Sequence, residues 1–373
     1  MTIKLTLVAG ARPNFIKLSP VINNIIKRQK NGEQLSYSII HTGQHYDKNM
    51  SNVFFEEMGI PLPNYQLSVG SGTHSVQTGL MMIEIEKILM NEKPHYVIAI
   101  GDTNSTIAAA LAAAKLKIPV AHIEAGLRSF DKHIPEEINR IVCDHLSSLL
   151  FPPTIVGYEN LVKEGITEEN IFNFGDVMYD AALVHKSKSN ISELLQSLNL
   201  KSNQYILATI HRAENTDNLE NLEYIIDFIT EIAKKNPVLF PIHPRTKKII
   251  NENGRFKVIL NNEAIKIIEP MSYITLLGAI QESSFVMTDS GGLQKESYFF
   301  SKKCLNIFHS TPWPELENSG WLTLCPPNPL SNMKKNLSDM LEKKTGEVSN
   351  LYGEGNAAEL IVEKIISRIK NGI

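Results

Sequence analysis

Cysteine is scarce and scattered in this chain: Cys143, Cys304 and Cys325 are the whole set, odd in number and far apart. That excludes a disulfide framework and the paired spacings of a structural zinc site, and it points to reduced thiols in the core of a cytosolic protein. An excess of charge is missing too. The net charge is −3 and the pI about 6.4, so no basic footprint marks the chain for nucleic acid or an anionic membrane surface. The longest apolar runs, such as "TIAAALAAAKLKIPVA", are too short or too interrupted to span a bilayer, and no leader pattern precedes the first strand-like segment. The Walker loop and the G-x-G-x-x-G fingerprint are both absent, which argues against ATP and dinucleotides as ligands. These absences predict a cytoplasmic protein with neither membrane nor nucleic acid as a partner.

What is present is an alternation. At 373 residues and 43% hydrophobic, the chain can bury a large core and has the length of two domains. Short β-branched runs, "IKLTLVAG", "YSIIHTG", "HYVIAIGD" and "PVAHIEA", each end in Gly, Asp or Glu. Longer segments of helical period lie between them, among them "SVQTGLMMIEIEKILMNEK". After a polar stretch at 185–204 the rhythm restarts with "YILATIHRAEN", "VLFPIHPRT", "AIKIIEP" and "FVMTDSGG". The pattern predicts an α/β protein of two Rossmann-like, doubly wound domains, 1–180 and 181–355, joined near 180–200.

In such sheets ligands bind beyond the carboxyl ends of the strands. Seven polar clusters sit there, divided between the two domains, and they predict a cleft lined from both sides. In "TDSGGLQKES", Ser290, Gly291 and Gly292 offer a hydroxyl and backbone N–H groups to an anion at the positive end of a helix, and Glu296 can accept from ribose hydroxyls. Arg12 and Lys17 of "GARPNFIK" supply cations, and Arg12 can fork onto a diphosphate from the opposite domain. His211, after "YILATI", can donate to a phosphate oxygen or move a proton. His41 and His45 stand four apart but lack the acidic third ligand that a catalytic metal requires, so no metal site is expected.

The acids are the sharper signal. Asp102 ends the strand "YVIAIGD", Glu124 ends "AHIEA", and Glu136 opens a helix in "PEEINR". Crowded carboxylates push each other's pKa values apart, so one can serve as acid and another as base. Arg140, at i+4 from Glu136, is placed to hold it, while Glu137 reads as an ordinary first-turn residue that complements the helix dipole.

With "GDTNST", "HIEAGLRS", "GDVMYD" (175–180), "HRAEN", "IHPRT" and "YGEGNAA" (352–358) added, the chain resembles the non-hydrolysing UDP-N-acetylglucosamine 2-epimerases along essentially its whole length. Through "HTGQHYDKNMSNVFFEEMGIP" and "LATIHRAENTDN" it is most similar to the branch that includes UDP-2,3-diacetamido-glucuronate 2-epimerases. The resemblance implies a GT-B fold with the nucleotide sugar in the inter-domain cleft, a last helix (356–373) returning to the first domain, and a homodimer. It also implies inversion of C2 by elimination of UDP and its re-addition through a 2-acetamidoglucal, with no cofactor and no metal. Asp102, Glu124, Glu136 and His211 are then the acid/base candidates. Arg12, Lys17, Arg140, His243, Ser290, Gly291, Gly292 and Glu296 are those for substrate and UDP. Some relatives carry a second, activating nucleotide-sugar site; Gln44 and His45 match its motif, but Asp47 and "GSGT" (70–73) depart from it. Phe308 and Pro312 stand where the family usually has arginine and glutamate. A GT-B glycosyltransferase is the rival reading, and it has no need of several acids around sugar C2.

Overall fold

A computed structural model of the protein describes residues 2–43, 54–186, 188–346 and 350–372. The chain divides into two units, Met1–Val184 with Asn350–Ile373, and His185–Ser349. In the first, six strands form one parallel sheet: β1 Ile3–Ala9, β2 Leu35–His41, β3 Tyr65–Gln66, β4 Tyr96–Ile100, β5 Val120–Ile123 and β6 Leu149–Phe151. Their order is β3-β2-β1-β4-β5-β6. β1, β4 and β5 are buried along nearly their whole length, which is why they read as mostly apolar runs.

Alternate strand residues serve opposite faces of the sheet. Val8, Val97 and Ala99 join a core with Met81, Ile85, Ala108 and Ala112, which come from the helices His74–Glu92 and Asn104–Lys115. The small side chains of "AAALAAA" let that second helix pack closely against both His74–Glu92 and the helix Pro135–Leu146. Elsewhere in this unit the helix Arg12–Lys30 packs against the C-terminal helix Ala357–Lys370, whose inner stripe is Ile361, Val362, Ile365 and Ile366.

Two of the quoted motifs fasten that returning helix. Asp176 N–H donates to the Tyr352 carbonyl at 2.9 Å, and a Cβ on Gly175 (φ +100°) would lie 2.4 Å from the same oxygen. Asp180 accepts from the first helical amides, Ala357 N at 3.2 Å and Ala358 N at 2.7 Å.

The second unit repeats the plan with β7 Ile206–Thr209, β8 Val238–Pro241, β9 Ile265–Ile268, β10 Phe285–Thr288, β11 Cys304–Asn306 and β12 Leu322–Leu324. All are parallel, in the order β12-β11-β10-β7-β8-β9, which is the first unit's order again. The helix Leu219–Ala233 shows how sequence sets an element here. Asn218 Oδ1 caps it by accepting from Glu220 N at 3.0 Å and Asn221 N at 3.3 Å, and Leu222, Ile225, Ile226 and Ile229 form its buried stripe. The three cysteines are buried and unpaired.

Candidate active site

Strand order reverses between β1 and β4 in the first unit and between β7 and β10 in the second, and ligands of doubly wound sheets gather at such reversals. Arg12 and Lys17 follow β1, Asp102 follows β4 and Glu124 follows the neighbouring β5. His211 follows β7, and Ser290, Gly291 and Gly292 follow β10.

The first unit opens its site at Gly10, where a Cβ would lie 1.9 Å from Ser105 Oγ and 2.2 Å from Thr42 Oγ1. Glycine lets β1 turn past these hydroxyls into the helix that carries Arg12 and Lys17. Arg12 lies exposed, its guanidinium 5.2 Å from the Phe54 ring centroid. Lys17 sets its ammonium on the Glu124 carboxylate. Burial opposes that charge, but Glu124 and Asp102 outweigh it and hold the Lys17 pKa up. Glu124 has φ +73°, a left-handed backbone rare for a glutamate and typical of functional positions.

Asp102 accepts from Arg140 Nη1 at 2.7 Å. Burial pushes its pKa up, and Glu124 and Glu136 add to this against Lys17 and Arg140. Such a carboxyl takes up a proton more readily than a surface aspartate, which suits a group that gives and receives one.

Two expectations about the neighbouring helix are overturned. Glu137 is not a solvated first-turn acid but 1% exposed. Its carboxylate accepts from Ser129 N and Phe130 N, each at 2.9 Å, and from Arg140 Nε at 3.0 Å and Nη2 at 2.7 Å. Arg140 accordingly does not hold Glu136; it bridges Glu137 to Asp102. The cause is the loop before the helix, whose amides reach Glu137 and leave Glu136 part-exposed at the helix start.

Sequence reasoning missed Asp289, the fully buried centre of the second unit's site. Its carboxylate accepts from His211 N (3.0 and 3.1 Å), Arg212 N (2.9 Å) and Asn215 Nδ2 (3.0 Å), and lies 3.0 Å from His211 Nδ1. That orients the imidazole with Nδ1 toward Asp289 and leaves Nε2 for chemistry. The signal was present in "MTDS", an aspartate directly after a buried strand, much as Asp102 follows β4 one residue later in "IGDT".

Ser290 is the N-cap of the helix Gly291–Phe299, and its hydroxyl makes no capping bond. The first helical amides lie at the positive end of that helix, where negative charge is favoured. Glu296 is 4% exposed rather than solvated. His243 caps the helix Pro244–Glu252, accepting from Arg245 N at 3.2 Å. Its ring centroid lies 5.6 Å from that of His211, and burial, His211 and Arg245 push its pKa down. Phe308 seats a different cation: the Arg212 guanidinium lies 4.4 Å from its ring centroid, with Nε donating to Asp289 O at 2.7 Å. Beside Pro312, Trp313 Nε1 donates to Gly291 O at 2.8 Å. Gln44 and His45 lie outside the described residues. His41 is spent on the fold, its Nδ1 accepting from Gly43 N at 2.8 Å.

The family model described as UDP-N-acetylglucosamine 2-epimerase matches residues 27–366. The chain belongs to that family. This epimerase is 44% identical to the UDP-N-acetylglucosamine 2-epimerase of Methanocaldococcus jannaschii, over 96% of this chain and 98% of the relative. It is equally similar, 44% over the same shares, to the UDP-2,3-diacetamido-2,3-dideoxy-D-glucuronate 2-epimerase of Pseudomonas aeruginosa. The crystal structure of the M. jannaschii enzyme in complex with UDP-GlcNAc and UDP matches with a TM-score of 0.83 at 42% identity, covering 98% of this chain and 100% of that one. The Neisseria meningitidis UDP-GlcNAc 2-epimerase bound to UDP-GlcNAc matches with a TM-score of 0.83 at 28% identity, over 99% and 100%. The epimerase is therefore an isomerase of nucleotide sugars with a GT-B-like pair of sheets. No helix among its described residues is long and apolar enough to cross a membrane.

Proposed function

We propose that this epimerase reversibly inverts C2 of UDP-N-acetylglucosamine, giving UDP-N-acetylmannosamine by loss and re-addition of UDP. The observation that carries the reading is the pair of strand-end acids. Asp102 and Glu124 follow adjacent strands, are coupled to each other, and are each held by a cation, Arg140 and Lys17 respectively. Inversion at an unactivated carbon needs one group to take the C2 proton and another to return a proton to the opposite face.

As one carboxylate removes the C2 proton, the electron pair forms a C1–C2 double bond and the C1–O bond breaks. UDP leaves as an anion, and 2-acetamidoglucal remains. UDP then adds back to C1 while a proton reaches the other face of C2. Arg12, Ser290 and the amides of Gly291 and Gly292 meet the departing diphosphate, and Glu296 takes the ribose. His211, oriented by Asp289, donates to phosphate or moves a proton, and Glu136 is a third acid within electrostatic reach of Asp102.

The alternative substrate is the 2,3-diacetamido uronate, favoured by the likeness to the P. aeruginosa enzyme. Its carboxylate needs a cation, which Lys132, exposed in the loop before Glu136, can supply. The reading carries with it a cytoplasmic location, a homodimer and a product used for surface polysaccharide, all following from the family likeness.

Incubation with either nucleotide sugar in deuterated water tests the reaction. The expected result is deuterium at C2 of both epimers without stoichiometric release of UDP. Complete conversion to UDP and free sugar moves the protein to the hydrolysing class, and epimerisation without exchange sinks the mechanism.

A further inference from the structure

Next to the two strand-end acids lies a buried charged network centred on His122. His122, on β5, is fully buried. Its Nε2 lies 2.8 Å from the Gly101 carbonyl oxygen and its Nδ1 2.6 Å from Asp144 Oδ1. A carbonyl and a carboxylate only accept, so both ring nitrogens donate and the ring carries a positive charge. The other Asp144 oxygen accepts from Gly126 N at 3.1 Å and Arg128 Nη2 at 2.7 Å. Arg128 in turn forks onto Glu164, with Nε and Nη2 each at 2.7 Å.

The backbone groups held in this way are particular ones. Gly101 immediately precedes Asp102, and Gly126 follows Glu124 by two. Both glycines are left-handed, at φ +71° and +75°, and a Cβ on Gly126 would lie 2.2 Å from Gly157 O. Neither turn can be shifted without moving this network.

We infer that His122 is a positioning residue for the epimerisation, tying the turn that carries Asp102 to Asp144 and, through Asp144, to the turn that carries Glu124. The inference rests on the reaction proposed above. As protons come and go, the two carboxyl groups change charge against each other, and strand ends held by backbone alone would shift with each change. A ring bonded at both nitrogens, to the Gly101 carbonyl and to Asp144, fixes their spacing. The groups facing it are Asp144 and Cys143 from the helix Pro135–Leu146, with Arg128 behind Asp144. Burial alone would lower the imidazole pKa, and Cys143 and Asp144 reverse this and hold it well above the ordinary histidine value.

Two measurements test the role. In wild-type protein with nitrogen-15-labelled histidine, the His122 ring, recognised by its proximity to Cys143, shows two protonated nitrogens at pH 7 and pH 8; a ring with one proton at pH 7 overturns the assignment. In His122→Gln, which removes the charge, kcat falls about 10²-fold, the cost of displacing reacting groups by ~1 Å. KM and UDP affinity stay within about threefold of wild type, on the same scale of effects. A folded variant with kcat within threefold of wild type overturns the role, and should the variant not fold, the wild-type ring decides. Absence of wild-type turnover in the same assay counts against the epimerase reading itself. It is told apart from failure of the positioning role, which takes an active wild type and an unimpaired variant.

Discussion

At the scale of single residues, two adjacent glutamates in "PEEINR" have opposite fates. Replacing Asp102, Glu124 or Glu136 by its amide is expected to cut kcat by about 10²–10⁴-fold while UDP still binds. Glu137→Gln is expected to damage both fold and turnover. It puts an amide NH2 in place of one carboxylate oxygen, facing either Phe130 N or the Ser129 and Arg140 donors, at a cost of about 1–3 kcal/mol, and removes the charge that holds Arg140 beside Asp102. A urea midpoint and kcat both at wild-type values would refute this. From the sequence, Glu136 and Glu137 are indistinguishable, since either complements a helix N-terminus; the loop folding over the helix chooses between them. Asp289 was hidden for another reason, because beside Ser-Gly-Gly it reads as part of a turn. Burial opposes its charge, but His211, the Arg212 amide and Asn215 hold its pKa below the usual carboxylate range. A depressed pKa means stability that is present above the unfolded-state value, about 3.9, and lost as pH falls through the folded value. Asp289→Asn is therefore expected to unfold at lower urea than wild type at pH 7, with the gap closing in acid. It also loses at least about 10²-fold in kcat, because His211 is no longer oriented. Urea midpoints that differ equally at pH 3 and pH 7 would contradict the linkage.

At the scale of elements, the helix Gly291–Phe299 carries the nucleotide in this reading. Ser290→Ala and Glu296→Ala are each expected to weaken UDP binding by about 1–3 kcal/mol, and calorimetric titration at wild-type affinity for both would remove the helix from that role. The longer strands were legible because burial on both faces leaves them mostly apolar, with few polar residues such as Lys4 and Thr6 in β1. β3, β6, β11 and β12, of two or three residues each, are too short to show any period. The motifs "GDVMYD" and "YGEGNAA" showed their job only in three dimensions, since Asp180 and Ala357 are 177 positions apart. Burial pushes Asp180 up to about 6, with Asp176 adding to it, against the helix amides that it accepts. A raised acid pKa is stability present below the unfolded-state value and eroded as pH rises through the folded one. Asp180→Asn keeps an oxygen for one of those two amides and has no charge to lose or gain, so it is expected to gain on wild type as pH rises from about 5 to about 7. Asp180→Ala loses the cap, at about 0.5–2 kcal/mol. Urea melts of the three proteins at both pH values check the order, and an Asn variant that loses ground as pH rises would reverse the argument.

At the scale of the whole molecule, the helix His74–Glu92 leaves Val76, Leu80, Ile83 and Met90 between 49% and 57% exposed. Val76 precedes Ile83 by as many residues as Met90 follows it. In the proposed homodimer, a copy crossing this helix antiparallel at Ile83 would set each Val76 against a Met90, as a two-fold axis requires. Ile83→Cys is expected to form an inter-chain disulfide on mild oxidation, with the buried Cys143, Cys304 and Cys325 silent. Light scattering that shows a monomer would overturn the dimer, and a dimer that resists cross-linking would overturn the axis.

A ribosome finishes the first unit last. Its closing helix, Ala357–Lys370, is translated only after all of His185–Ser349, so the nascent N-terminal sheet waits with the flank of Arg12–Lys30 uncovered, the kind of surface that chaperones hold. A message truncated after codon 349 yields a complete second unit and an unsealed first one. Translation order thus leaves the first unit open until residues 357–370 have been made.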